Sequence, residues 1–244
     1  MSAGSLLGLS VTQPASSSLV ASSRDLLWQP RWPDDAALRS LVAYGDDDLA
    51  AALAALEADA AELHRRAGIP ADITRETLLD VGRKHELYGA RAVLPWLLGL
   101  MRADVIQFGR LQVERLPDER GHGLHIPETG PLEPSVVDRS LGRIRAFTGP
   151  QQLHCTSWLL DPAVSKDLPG SNLASFAGRF MIVDGGEDSD SGNRSVAKFV
   201  FRTSYEAVLA EGGVTPRTGL ERRVVERLRS GYRWSEPTGV IAGS

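Results

Sequence analysis

Few side chains in this sequence have the type and spacing to do chemistry. His122, His125 and Glu128 match a metal-ligand set in residue type. Two histidines three apart on a strand face opposite sides, however, so they cannot easily converge on one ion, and no metal is expected. His125 by itself is a better candidate. It stands between Leu124 and Ile126, just before a Gly/Pro loop, where a neutral imidazole could take a proton from an amine. The competing reading is a histidine satisfied by loop carbonyls. Glu114 closes a mostly apolar strand. Partial desolvation there would raise its pKa and suit a general base, whereas full exposure would make it a surface charge. Cys155 lies next to His154, but neighbours on a strand point to opposite faces, so the pair is no nucleophile and base. Asp161-Pro162 reads as a helix-initiating cap. The Gly-x-Ser-x-Gly elbow, the Walker loop and the Rossmann glycine fingerprint are all absent, so hydrolase, nucleotidase and dehydrogenase readings lose their main support.

Elements of two kinds must position these groups. Residues 34–103 have helical periodicity. One helix is expected from Asp46, capped by Asp46-Asp47-Asp48, to Arg66, with Leu49, Leu53, Leu56, Ala60 and Leu63 as its inner stripe. A second is expected over Thr74–Leu87, and a third over Ala90–Arg102 with a kink or restart at Pro95. After Val105 the period becomes two. Val105–Leu116 reads as one strand, with Gln112 and Glu114 on the face of Phe108. Asp118–Gly121 then reads as a hairpin turn and Leu124–Ile126 as the return strand. A Gly/Pro loop leads to Pro134, which opens a helix with Val137, Leu141, Ile144 and Phe147 inward. Gln151–Leu160 is expected as a central strand, followed by a short helical region from Pro162 to Phe176. Two more strands, Arg179–Val183 and Val196–Arg202, flank a polar loop at 185–193. A final helix is expected over Thr218–Arg229, its arginines paired with Glu221 and Glu226 on a solvated face. The fold class is therefore α/β: a mixed, mainly antiparallel sheet flanked by helices. It follows a small helical unit at 34–103, residues 1–33 form a loosely ordered tail, and 104–244 form the second domain.

Composition narrows the partners. The 244 residues are 42% apolar and 24% charged, ordinary for a globular protein. A net charge of −4 argues against nucleic acid as a partner. The lone cysteine rules out an internal disulfide framework and a thiolate zinc cluster. No apolar run is long enough for a membrane span, and the uncharged, serine-interrupted start does not read as a leader. A cytoplasmic location is expected.

Taken together, Phe108-Gly109-Arg110-Leu111-Gln112, Leu124-His125-Ile126-Pro127, Gly130-Pro131-Leu132, Cys155-Thr156-Ser157-Trp158-Leu159-Leu160, and Ser171-Asn172 leading to Arg179-Phe180 resemble a bacterial family. It is the acyltransferase domain-containing family, which pairs a helical N-terminal domain with a GNAT-like C-terminal domain. The resemblance covers roughly residues 40–240 and is strongest over 105–183. It implies an N-acyltransferase that uses acyl-CoA, with acetyl-CoA the first choice, on a small-molecule amine attacked directly in a ternary complex. The pantetheine arm of the cofactor would lie between two splayed central strands, and its pyrophosphate at the start of the following helix. Carried onto this sequence, that implies Ile126, Gly130, Leu132, Ser135 and Asn172 as cofactor-binding residues and Glu114 or His125 as the catalytic base. The chain departs from the pattern twice. Glu128-Thr129-Gly130-Pro131 stands where Gln/Arg-x-x-Gly-x-Gly/Ala is usual, and Phe176 occupies the neighbourhood of the tyrosine that protonates the thiolate. Those departures keep open a non-catalytic module that binds CoA or a partner. A carrier-protein thioester as donor is a further alternative.

Overall fold

The structure, a computed structural model, describes residues 5–186 and 190–243. Residues 1–4 of the expected tail and 187–189 of the expected loop lie outside the described residues. The chain divides into two compact units, Met1–Leu116 and Pro117–Ser244.

The first unit is built from helices α1 (Ser17–Leu27), α2 (Asp35–Val42), α3 (Asp46–Ala54), α4 (Glu57–Arg66), α5 (Ala71–Tyr88) and α6 (Ala90–Met101). A hairpin of β1 (Val105–Phe108) and β2 (Leu111–Glu114) completes it. The segment expected as a loose tail contains α1. Ser16 caps that helix by accepting from the Leu19 N–H, and Leu19, Leu26 and Leu27 enter the leucine core beside Leu49, Leu53, Leu94 and Leu98. Ser18 and Ser22, which interrupt the apolar run in sequence, face solvent. Each buried leucine contributes about 1.5–3 kcal/mol, enough to order such a segment. The helix expected over 46–66 breaks at Ala55-Leu56, and its cap is Gly45 without a side-chain bond. Asp46 instead accepts from the Arg91 N–H at the start of α6, at 2.7 Å. The kink expected in α6 is present. Val93 leaves helical geometry (φ −130°, ψ 18°) two residues ahead of Pro95, whose ring and missing N–H break the ladder.

The strand expected over Val105–Leu116 is in fact the β1–β2 hairpin. Gly109 turns it with φ of +66°, the first central position of a II′ turn, where glycine is preferred. The turn resets the side-chain alternation. Val105 pairs with Glu114 and Gln107 with Gln112, so Gln112 and Glu114 share a face with Val105 and Gln107, opposite Phe108.

The second unit runs β3 (His122–His125), α7 (Pro134–Thr148), β4 (Leu153–Thr156), α8 (Pro162–Asp167), α9 (Asn172–Ala177), β5 (Met181–Asp184), α10 (Ser191–Val196), α11 (Tyr205–Leu209), α12 (Gly219–Arg229) and β6 (Thr238–Ile241). Its strands lie in the order β3-β4-β6-β5. β3 and β4 are parallel, and the other pairs are antiparallel. The mixed, mainly antiparallel sheet flanked by helices is thus present, with β4 central as expected. The turn at Asp118–Gly121 is also present, closed by both backbone bonds between those residues.

Three assignments change here. The expected strand 151–160 ends at Thr156, because the Ser157 hydroxyl caps a 3-10 turn over Trp158–Leu160 and all three of those residues become buried. Residues 196–202 alternate like a strand in sequence, but 196–201 are helical and Arg202 caps them in the left-handed conformation. Their helix packs against the segment entering β6: a Cβ on Gly192 would lie 1.9 Å from the Trp234 carbonyl oxygen, and the Asn193 side chain accepts from the Trp234 N–H. The strand that fills the sheet is β6, from the last residues of the chain, inserted between β4 and β5. The final helix is present, capped by Thr218 and paired through Arg217–Glu221 and Arg223–Glu226. Among the described residues no helix is long and apolar enough to cross a membrane.

Candidate active site

In the second unit the pairing of β3 with β4 is short. β3 and β4 begin close together. The His122 N–H donates to the Gln152 carbonyl at 2.9 Å, and a Cβ on Gly121 would lie 2.1 Å from that same oxygen. The pairing then runs through His122↔Leu153 and Gly123↔His154. Among the described residues the ladder stops there, although both strands continue for two residues. On its other side β4 stays paired with β6 through Thr156↔Thr238. The facing edges of Leu124-His125 and Cys155-Thr156 are left outside the β3–β4 ladder.

His125 ends β3, beyond the β3–β4 ladder, and is half-buried; Ile126 follows it, also half-buried. In the loop beyond, Thr129 N–H bonds back to the Pro127 carbonyl. Gly130 adopts φ of +121° with open space where a Cβ would point, a backbone conformation that disfavours other residues. The Thr129 hydroxyl is buried with no hydrogen-bond partner among the described residues. Leu132 is buried and pins the loop to the unit. The loop ends in α7, with Pro134 in its first turn, no side-chain cap from Glu133, and Ser135 exposed. Arg179 ties this start to α9, donating to the Pro134 carbonyl, the Asp138 carboxylate and the Ser175 carbonyl. Asn172, exposed, opens α9 behind its Ser171 cap. The structure therefore gathers Ile126, Gly130, Leu132 and Ser135 along one strand–loop–helix path, with the helix of Asn172 packed beside it.

Two other sequence candidates have structural roles. Cys155 is buried, and burial pushes its thiol up to about 12, so no thiolate nucleophile forms near neutrality. His154 lies 3.2 Å from Asp118 rather than serving Cys155. Asp161 is 1% exposed and collects four bonds, from the Ala163 N–H, the Tyr232 hydroxyl, and the N–H and hydroxyl of Ser235. It is the helix cap expected, and also the tether for the segment leading to β6.

Glu114 belongs to the first unit. Below it on the same hairpin face lies a buried polar row, with Gln112 donating to Asp80 at 2.7 Å and to Gln107 at 3.2 Å. Glu114, half-buried, lines a cavity of about 580 Å³ with Pro30, Trp32, Pro95, Trp96, Gly99 and neighbouring residues. Arg102 holds one wall of that cavity. It donates to the Leu26 and Leu27 carbonyls that end α1, pairs with Asp104 at 2.7 Å, and places its guanidinium 5.7 Å from the Trp32 ring centroid. Trp32, Trp96, Arg102 and Asp104 were not singled out as site residues in the sequence. The available signal was a tryptophan between Pro30 and Pro33, and another directly after Pro95.

A sequence profile described as GNAT-like C-terminal domain matches residues 101–241, more than half of the chain. Among solved structures, an acyltransferase in complex with decanoyl-CoA and teicoplanin superposes with a TM-score of 0.71 at 24% identity, over 98% of this chain and 92% of that one. An acyltransferase mutant in complex with octanoyl-CoA gives 0.72 at 23% identity over the same shares. An acyltransferase in complex with decanoyl-CoA gives 0.71 at 28% identity, over 93% of this chain and 75% of that one. Among curated proteins, none matches the chain significantly.

Proposed function

Because the chain belongs to the GNAT-like C-terminal domain family, we propose that it is an acyltransferase that moves an acyl group from acyl-CoA to an amine. The observation that carries this is the β3–β4 ladder that stops after Gly123↔His154, followed directly by a loop and an uncapped helix start. An extended pantetheine arm would use the freed main-chain edges much as an added strand does. The pyrophosphate would accept from the N–H groups that open α7, where the helix dipole favours an anion. Ile126, Gly130, Leu132, Ser135 and Asn172 are the residues assigned to that path, and the buried Thr129 hydroxyl, without a partner among the described residues, is a further group for a ligand to satisfy.

In the reaction the amine nitrogen attacks the thioester carbonyl. The C–N bond forms, the C–S bond breaks, and CoA leaves as thiolate and takes up a proton. His125, at the end of β3, would accept the amine proton; Glu114 is the alternative base. The similar solved proteins hold decanoyl-CoA or octanoyl-CoA, so the donor proposed is a medium-chain acyl-CoA, and acetyl-CoA becomes the short-chain comparison. Teicoplanin in one of them supports an acceptor larger than the small amine expected from sequence.

Thiol release from acetyl-, octanoyl- and decanoyl-CoA, with and without a panel of amines, tests the proposal. Release that depends on the amine and is fastest with the medium chains is expected. Tight CoA binding without amine-dependent release would make the chain a binding module instead.

A further inference from the structure

Pairing in the sheet of the second unit sorts its side chains onto two faces, because partners across a ladder share a face and neighbours along a strand alternate. His122↔Leu153 sets one face, and alternation adds Leu124 and Cys155 to it; all four of these residues are buried. Gly123↔His154 and Thr156↔Thr238 set the other face, to which alternation adds His125. At the C-terminal ends of β3 and β4 this second face therefore carries His125, Thr156 and Thr238. His154, one turn of the pleat earlier, lies against Asp118.

The two threonines share one hydrogen bond, with 2.7 Å between their hydroxyl oxygens, and among the described residues neither hydroxyl has another partner. Burial fixes its direction. Thr238 is 4% exposed, so its proton has only the Thr156 oxygen to go to, and buried donors are seldom left unpaired. Thr238 donates and Thr156 accepts. Thr156 is exposed, and its own proton is left for whatever lies over this face. A second observation bears on the same face: Phe176, in the neighbourhood where a thiolate-protonating tyrosine was expected, carries no donor and is buried against Phe180.

We infer that the Thr156 hydroxyl donates to the thioester sulfur of the acyl donor and holds the CoA thiolate as the C–S bond breaks. The inference rests on the acyltransferase reading, which lays the pantetheine arm along the edges of Leu124-His125 and Cys155-Thr156 and so brings the sulfur over this face. Thr156 gives up no proton. The C–S electron pair goes to sulfur, the amine proton goes to His125, and that proton then passes to the thiolate. A donor already fixed by Thr238 meets charge that develops only as the bond breaks, so it favours the transition state over the bound thioester.

The ionisation of bound CoA tests this without an acceptor. Ultraviolet absorbance reports the CoA thiolate, with the desulfo-CoA complex as the blank. The Cys155 thiol, pushed up to about 12 by burial, stays silent well below that range. Bound to the full chain, the CoA thiol should ionise about one pH unit lower than when bound to Thr156→Val, a tenfold difference in the ionisation constant. Thr156→Ser should match wild type, and desulfo-CoA should bind all three chains alike. The other ionisable groups nearby are His125, the His154–Asp118 pair and Asp184 opposite Thr238; they are common to all three chains and cancel. If Thr156→Val fails to fold because Thr238 loses its acceptor, Thr156→Val/Thr238→Val removes both hydroxyls and gives the same readout. Equal thiol ionisation in wild type and the valine variant overturns the inference. So does a valine effect that serine does not restore, or one shared by desulfo-CoA, since either makes Thr156 a packing residue. Absence of CoA binding by wild type would instead sink the acyltransferase reading, and this inference with it.

Discussion

His125 and Glu114 were both legible in the sequence as possible bases, and the structure gives them different surroundings. His125 sits where a β ladder ends and a loop begins; Glu114 sits on the rim of an aromatic cavity. If His125 accepts the amine proton, His125→Ala should lower turnover by about 10²–10⁴-fold while the Kd for octanoyl-CoA stays within twofold. Unchanged turnover would move the role to Glu114 or to solvent. Tyr232 allows a prediction on stability. Burial first, then its bond to Asp161, pushes its phenol up to about 12. The folded-state value lies above the unfolded one, so the contribution is fully present below about pH 10 and is lost as pH rises towards 12. Tyr232→Phe should remove that alkaline slope and, at neutral pH, cost about 1.5–3 kcal/mol for a bond to a charged acceptor. A wild-type slope that persists in the variant would assign the alkaline transition to another group.

At the scale of elements, the helices were legible because their apolar stripes repeat over several turns, as in α5 and α12, both close to expectation. The strands are only four residues each, too short for period two to reveal their ends. One glycine shows the consequence. A continuous strand over 105–116 puts Glu114 with Phe108, whereas the turn at Gly109 puts it with Val105 and Gln107. β6 is the other case: Thr238–Ile241 is a short run after Pro237 that nothing local marks as central. It nonetheless separates β4 from β5, and a Cβ on Gly239 would stand 2.7 Å from Phe180. A chain ending at Pro237 should therefore lose the cooperative melting of the second unit and octanoyl-CoA binding together. A soluble truncated chain with wild-type binding would show that β6 is dispensable.

For the whole molecule, the sharpest test is ligand linkage. Octanoyl-CoA at about 100 times its Kd should add about 2.7 kcal/mol, a rise of roughly 5–10 °C in Tm for a chain of this size. Acetyl-CoA at the same multiple of its own Kd should give the same rise, so chain preference must be read from the concentrations needed. No shift with any acyl-CoA would remove the cofactor from the account. The division of the chain between Leu116 and Pro117 was not legible. Periodicity changes at Val105, but the first hairpin packs with the helices before it: the Gln107 N–H donates to Thr77 and the Gly109 N–H to Glu76, both on α5.

What the sequence determined by itself was whatever depends on local order: the longer helices, the Asp161 cap, the kink ahead of Pro95, and the strand–loop–helix path from His122 through Pro134. These follow from periodicity, turn residues and capping, which act over a few neighbouring positions. Tertiary structure decided what depends on residues far apart in the chain. It brought Trp32 beside Gly99, inserted the C-terminal strand into the sheet, and made residues 196–201 helical despite their alternation. It also limited the β3–β4 pairing to His122↔Leu153 and Gly123↔His154, a register between strands from distant segments that no local pattern in either strand records.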